Sequence, residues 1–192
     1  MKKQFTSYVL AILFGWLMGC NSNPVQMPDQ NSAQVSSAGR QVQLLELPGT
    51  AGKNLAKKSQ TSGSGLISAD SGGELKVIGQ FQTATLTIPK NALKKDQSIS
   101  MTLDDCGAQV KFSPEGLIFK KHAQLNYAAT GLDLSSVPVG AVINLYYYNE
   151  ISGAYEQMSS VSITYDKEAG TLTCVNGDIP HFCLYAFGYI KR

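Results

Sequence analysis

The residues best suited to chemistry stand near the end of the chain, in the segment PHFCLYAF. His181 and Cys183 flank Phe182, and a thiolate that attacks the carbonyl preceding it converts an amide into a thioester, which water then cleaves. Such a reaction needs a base within reach and donors for the oxyanion. The alternative is structural, because alternate residues place Phe182 on one apolar face and Cys183 on the other, as in a central strand covered on both sides.

The first twenty residues have the pattern of a secretory signal. Lys2 and Lys3 precede the apolar run YVLAILFGWLMG, which ends at Cys20, and this order of charged, hydrophobic and small residues is typical of an export signal. The run is shorter than the roughly 20 apolar residues that a membrane span needs. Its end, LMGC, resembles the lipobox of bacterial lipoproteins, which implies a signal peptide over residues 1–19 and lipidation of Cys20.

The same resemblance implies a location. Several acyl chains on Cys20 give stable membrane anchoring, whereas a single chain binds only marginally. The next residue is Asn21 rather than aspartate, and by resemblance to the usual sorting pattern this favours the outer membrane of a bacterial envelope. The alternative is an ordinary cleaved signal in which the cysteine has no role.

The charge balance gives little support to nucleic-acid binding. The chain has 16 Lys and Arg against 14 Asp and Glu, and without Lys2 and Lys3 the two counts are equal. The paired lysines farther along are separated by neutral sequence and are expected at solvated turns. We therefore expect no nucleic acid among the partners.

The mature chain divides into a tether and a domain. Residues 20–70 are rich in Ser, Gln, Asn, Gly and Ala, and such a segment buries too little apolar surface to offset the entropy of ordering. The exception is VQLLELPG, residues 42–49, which either docks as an extra edge strand, binds a partner or stays weakly ordered. We assign the ordered domain to residues 71–192.

The domain alternates apolar and polar residues with the period of a β-strand. In TATLTIP, Ala84, Leu86 and Ile88 alternate with threonines, as expected of a half-buried strand. Further segments alternate in the same way and are separated by turn residues: SISMTL, AQVKF, AQLNY, VSITY and TLTC. Asn176-Gly177 predicts a two-residue hairpin turn. The fold class is therefore all-β, a single antiparallel β-sandwich or closely related barrel.

Several of these segments together resemble the ZU-five domain, the β-sandwich of ankyrins, netrin receptors and tight-junction scaffolds that also occurs in bacterial surface proteins. The likeness runs from about Gly72 to Tyr189. Its most specific parts are the IPKNAL turn, the FSPEGLIF turn and the terminal His-Phe. In some members a His-Phe-Ser segment cleaves itself between Phe and Ser. The resemblance therefore implies, for a self-cleaving chain, His181 as base, Phe182 as the acyl side and Cys183 as nucleophile.

The other cysteines allow two interpretations. In an oxidising envelope, strand parity places Cys106 and Cys174 on inward faces, so these two could form a disulfide and leave Cys183 as a free thiol. Alternatively, all three are small buried hydrophobic residues.

Other chemistry is weakly supported. His122 and His181 are the two histidines of the chain, which excludes a multi-histidine metal site, and we expect neither a metal nor a cofactor. Strand parity places Tyr147 inward with Leu145 and leaves Tyr146 and Tyr148 outward, where they mark a partner or glycan surface or pair across strands. The sequence thus favours a lipid-anchored, non-enzymatic module that binds a protein or another envelope component. Cleavage of the Phe182–Cys183 bond is the alternative function.

Overall fold

The computed structural model describes residues 34–35, 40–48, 60–159 and 161–191. The predicted signal segment lies outside these ranges, as do Cys20 and most of the predicted tether. The described residues form thirteen β-strands. Within the same ranges, no helix is long and apolar enough to cross a membrane.

Eight strands form the larger sheet, and every pairing in it is antiparallel. Its central strand, β13 (Leu184–Ile190), has β9 (Asn144–Asn149) on one side and both β7 (Gln109–Ser113) and β2 (Gln41–Leu44) on the other. Four strands extend the sheet from these: β6 (Gln97–Asp104) and then β3 (Gln60–Ile67) beyond β7, β10 (Ala154–Gln157) beyond β9, and β1 (Gln34–Val35) beyond β2.

The smaller sheet has five antiparallel strands. Their order is β11 (Ser162–Asp166), β12 (Thr171–His181), β8 (Ile118–Ala129), β5 (Gln82–Ile88) and β4 (Gly73–Ile78). The predicted single antiparallel β-sandwich is confirmed, because two such sheets pack against each other.

The main core lies between the two sheets and contains the residues predicted to face inward. Leu86, Met101 and Leu125 are completely buried, and burial stabilises each side chain of this kind by about 1.5–3 kcal/mol. Aromatic contact joins the sheets, since Tyr127 of β8 and Phe187 of β13 stack with ring centroids 4.5 Å apart. The apolar residues of the alternating pattern that predicts the strands are therefore the residues that fill the core.

The larger sheet includes a strand that the sequence assigns to the tether. β3 pairs with β6 along its whole length, from Gln60 opposite Asp104 to Ile67 opposite Gln97. Its sequence, QTSGSGLI, contributes a single buried residue, Ile67. The ordered domain therefore begins before residue 71, because backbone hydrogen bonds, which composition does not reveal, hold this edge strand.

The VQLLELPG segment docks on the sheet, which was one of the three predicted alternatives. β2 pairs with the end of β13. Val42 and Leu44 pack on the outer face of the larger sheet, and Leu45 and Leu47 join the main core. All four side chains are at most 4% exposed, so this segment is part of the domain.

The predicted hairpin at Asn176-Gly177 is wrong. β12 continues through this pair to His181 and stays paired with β8, with a bulge between Cys174 and Gly177. Asn176 has the positive φ of 51° that a two-residue turn requires, but the same conformation also accommodates the extra residue of a β-bulge. The Asn176-Gly177 pair therefore predicted the local backbone conformation correctly, but the chain continues as one strand instead of reversing its direction.

Candidate functional site

The His-Phe-Cys segment lies at the corner where the chain crosses from one sheet to the other. His181 pairs with Ile118 in the smaller sheet, and Leu184 pairs with Lys111 in the larger sheet. Phe182 and Cys183 connect the two. The predicted central strand covered on both faces is therefore wrong for Phe182 and Cys183, which lie between two strands, but it is confirmed from Leu184 to Tyr189, where β13 is buried on both faces.

The turn between β7 and β8 fixes Phe182 in place. Its N–H donates to the Leu117 carbonyl at 2.8 Å, and its carbonyl accepts the Gly116 N–H at 3.0 Å. Its ring is buried, stacked on Phe112 and edge-on to Phe119, each with centroids 5.0 Å apart. The FSPEGLIF motif thus builds the support for the corner, and the Gly116 N–H is oriented as a donor to an oxyanion would be.

Cys183 is a poor nucleophile in this environment. The residue is 7% exposed, and burial raises the pKa of its thiol to about 12. Its Sγ donates to the Leu184 carbonyl at 3.5 Å, so the thiol hydrogen is directed at a backbone oxygen. At neutral pH the thiol is protonated, and attack requires the thiolate.

The His181 imidazole has the protonation state that a base requires, and aromatic rings pack against it. Burial lowers the pKa of its imidazole, and the Phe182 carbonyl acts in the opposite direction. The neutral ring packs edge-on against Tyr147, with centroids 5.1 Å apart. The backbone carbonyl of His181 accepts the Tyr185 hydroxyl at 2.7 Å. These contacts hold the ring against aromatic side chains.

Two residues beside the corner, Asn149 and Glu156, were missed by the sequence analysis. The Tyr147 hydroxyl donates to the carboxylate of Glu156, and Asn149 Nδ2 donates to the other oxygen at 2.7 Å. The Tyr147 hydrogen bond is the main reason that the pKa of Glu156 is lowered, and it also raises the pKa of Tyr147 to about 12. The β9–β10 hairpin is the sequence signal that could have revealed this contact, because its register pairs Tyr147 with Glu156.

The predicted Cys106–Cys174 disulfide is not formed. Cys174 is a free, buried thiol whose Sγ donates to the Leu125 carbonyl at 3.9 Å, and burial raises its pKa to about 11. Cys106 lies in the larger sheet, at the turn between β6 and β7, and Cys174 lies in β12 of the smaller sheet. Strand parity predicts the face of a residue but not its distance from another sheet.

The described residues contain no group of three His, Cys, Asp or Glu side chains placed to hold a metal ion. His122 is exposed on β8, where its Nδ1 lies 2.7 Å from Asp178 Oδ2. With both side chains about half exposed, this contact is a surface pair of small energetic weight.

The loop between β8 and β9 exposes apolar side chains. Val139 is 98% exposed and Val142 is 67% exposed. Tyr165 of β11 lies beside them, because its hydroxyl donates to the Ala141 carbonyl at 2.9 Å and its side chain stays partly exposed. Apolar groups displayed together on a loop are typical of an interaction surface.

Comparison with known proteins adds no identification to this geometry. No known family model matches the chain, and no curated protein matches it. The ZU-five resemblance therefore stays a prediction from the motifs of the sequence.

Proposed function

We propose that this chain is a lipid-anchored β-sandwich module of a bacterial cell envelope, which binds a protein or another envelope component without catalysing a reaction. The anchor is Cys20, and the LMGC pattern at the end of the apolar run supports it. The resemblance of this pattern to a lipobox, together with Asn21, favours the outer membrane.

The observation that carries the binding role is the β8–β9 loop. Val139 and Val142 do not stabilise the folded domain while their side chains remain in water. A partner that covers them removes apolar surface from water, which is favourable by about 25 cal/mol per Å². Tyr165 supplies an adjacent aromatic ring with a fixed hydroxyl. The loop and Tyr165 of β11 together expose apolar and aromatic side chains, which are typical of binding surfaces.

The anchoring half of the proposal is tested by fractionation and mass. The wild-type chain should sediment with membranes and yield an acylated Cys20 peptide, and Cys20→Ala should be released from the membrane. A Cys20→Ala variant that stays membrane-bound to the same extent would contradict lipid anchoring.

The binding half is tested by placing a photo-cross-linker at position 139 in cells. The matched control position is Ile118, which is also highly exposed, at 72%, but lies at the opposite end of β8. We expect a discrete cross-linked product from position 139 and none from position 118, with loss of the product in Val142→Ser. Equal products from both positions, or none, would contradict a binding role for this loop.

Self-processing of the Phe182–Cys183 bond is the second candidate, and the Gly116 N–H on the Phe182 carbonyl favours it. Because the pKa of the thiol is raised to about 12, the thiolate fraction increases about tenfold per pH unit up to that pH. Intact mass under denaturing, reducing conditions decides between the two candidates. We expect one full-length mass at pH 7, whereas a loss equal to residues 183–192 that grows with pH and is absent in Cys183→Ala would make self-cleavage the function.

A further inference from the structure

The edge strand β3 leaves one side of its backbone without a partner strand. β3 pairs with β6 along all eight of its residues, and it is the last strand of the larger sheet on that side. In an antiparallel pair, alternate residues direct their N–H and C=O groups away from the neighbouring strand. Among the described strands, none pairs with this outer side of β3, so it presents a row of donors and acceptors that another strand can use.

Hydrogen bonds to side chains hold β3 at both ends. The Thr61 hydroxyl donates to Asp105 Oδ1 at 3.3 Å. Just beyond the other end of the strand, the Ala69 N–H donates to Asp96 Oδ1 at 2.8 Å. A strand that is already ordered loses less conformational entropy when a partner pairs with it. The free side of β3 is therefore preorganised for pairing.

The other edges of the two sheets carry features that oppose pairing, whereas β3 does not. Native edge strands are commonly protected by charged side chains, by proline or by short length. β4 exposes Glu74 and Lys76, β11 has five residues and ends at Asp166, and β10 has four residues that include Glu156. β1 has two residues. β3 has eight residues without a charge, a proline or a bulge, so it is the described edge best suited to accept a strand.

The sequence of β3 is complementary to itself in one antiparallel register. Opposite residues of two paired strands must lie on the same face of the sheet, and a two-fold axis through Ser64 satisfies this condition. On the inner face, Gly63 then lies opposite Gly65 of the second copy, and Thr61 lies opposite Ile67. A two-fold axis through Gly63 instead places Thr61 opposite Gly65 and leaves Ile67 without a side chain across from it. Pairs that include β-branched side chains stabilise a sheet, which favours the axis through Ser64.

The outer face fits the same register. Ser62 lies opposite Leu66 of the second copy, and Leu66 is 73% exposed in the single chain. The Ser62 hydroxyl is fixed by a hydrogen bond of 2.9 Å to the Thr102 hydroxyl. Neither strand carries a charge, so no like charges oppose each other across the contact. Pairing therefore removes part of Leu66 from water without electrostatic repulsion.

We infer that β3 is the contact through which two copies of this chain form a symmetric dimer, in which the two larger sheets join into one continuous sheet across Ser64. An extended segment of another protein could also pair with the backbone of β3. The symmetry of β3 about Ser64 is a property that only a second copy uses. Because each copy offers one edge of this kind, the assembly closes at two copies.

The first test measures the dissociation constant of the dimer by sedimentation equilibrium of the full chain in a density-matched detergent. Ser64→Lys places two ammonium groups opposite each other at the axis, and like charges in this position oppose pairing. We expect a dissociation constant raised at least about tenfold. Ser98→Lys is the matched control, because Ser98 is also exposed on the same face but belongs to the interior strand β6. It should leave the dissociation constant unchanged, and urea unfolding checks that both variants are folded.

The second test locates the axis in cells by cysteine cross-linking. Opposite residues of paired strands have Cα atoms about 4.5–5.5 Å apart, which is within the range of a disulfide. Mild oxidation should therefore convert Ser64→Cys into a disulfide-linked homodimer. Ser98→Cys should stay monomeric on a denaturing gel, and the wild-type chain reports any cross-link made by its native thiols.

A wild-type chain that is monomeric over the whole concentration series overturns the inference, and so does a dimer that Ser64→Lys leaves intact. A Ser64→Cys chain linked to a different protein also overturns it and assigns the edge to an extended segment of that protein. The dimer goes beyond the loop surface of the proposed function and does not depend on it. Failure of the cross-link from position 139 would leave the dimer standing, and a monomeric chain would leave the loop surface standing.

Discussion

Two groups of buried residues in this protein combine a glutamine with tyrosine, and they differ in their hydrogen bonds. In the main core, the Tyr127 hydroxyl donates to Gln82 Oε1 at 2.7 Å, and Gln82 Nε2 donates to the Asp104 carbonyl at 2.7 Å. On the outer face of the larger sheet, the Gln109 amide and the Tyr155 hydroxyl have no such partners among the described residues. The two glutamines are equally buried, at 3% and 1% exposure.

The difference shows what each group contributes to the protein. A buried polar group that is fully hydrogen-bonded helps to specify one arrangement of the core. A buried polar group without partners lowers stability by the free energy of removing it from water. We therefore expect replacement of the core pair to cost stability and replacement of Gln109 or Tyr155 to cost little.

The largest effect is expected from Gln82→Leu. This change removes both hydrogen bonds of the core pair and leaves the Tyr127 hydroxyl buried without its acceptor, which lowers the free energy of unfolding by about 3 kcal/mol. Urea unfolding followed by circular dichroism measures it. A loss below about 1 kcal/mol would show that the core pair is not held by these bonds.

A smaller effect distinguishes two tyrosines that are both fully buried. Tyr127→Phe removes the donor to Gln82 and should lower the free energy of unfolding by about 1.5 kcal/mol, whereas Tyr155→Phe removes a hydroxyl without a described partner and should change it by less than about 0.5 kcal/mol. The same unfolding experiment compares them. Equal losses for the two variants would contradict the assignment of Tyr155 to an unpartnered site.

The smallest expected effect, and the one of opposite sign, belongs to Gln109→Leu. Replacing the unpartnered amide by an apolar side chain of similar size removes its desolvation penalty, so the free energy of unfolding should rise by about 1 kcal/mol. Thermal unfolding of the wild-type protein and of Gln109→Leu measures it. A destabilised Gln109→Leu would indicate that the amide is hydrogen-bonded after all.

Much of the fold could be predicted from the alternation of apolar and polar residues. The predictions that failed have specific causes. Leu86, Met101 and Leu125 are buried as predicted, because the side-chain period of a strand is fixed. β3 was missed because its Ser, Gly and Thr residues carry little apolar signal. Asn176 was misassigned because one backbone conformation serves both a turn and a bulge.

The candidate sites were predictable only in part. The motif residues of the corner, His181, Phe182 and Cys183, are adjacent in sequence and were found, but the Gly116 N–H that reaches the Phe182 carbonyl comes from a distant turn. Parity correctly placed Tyr146 on the outer face, yet predicted it to be outward rather than fully buried. When other residues cover the outer face of a sheet, the alternation of apolar and polar residues in the strand beneath does not reveal it.

The sequence by itself determined the order of the segments and a β-sandwich in which alternate residues face one core, and its LMGC pattern predicts export and lipidation at Cys20. These properties are local, since each depends on residue types within a few positions. Only the tertiary structure decided that Phe182 and Cys183 form a corner between sheets, that Cys183 is a dry, protonated thiol, and that Gln109, Tyr146 and Tyr155 meet around Ala186. Those outcomes depend on pairing between strands far apart in the chain, and that pairing sets burial, and with it the pKa of each group and its hydrogen-bond partners.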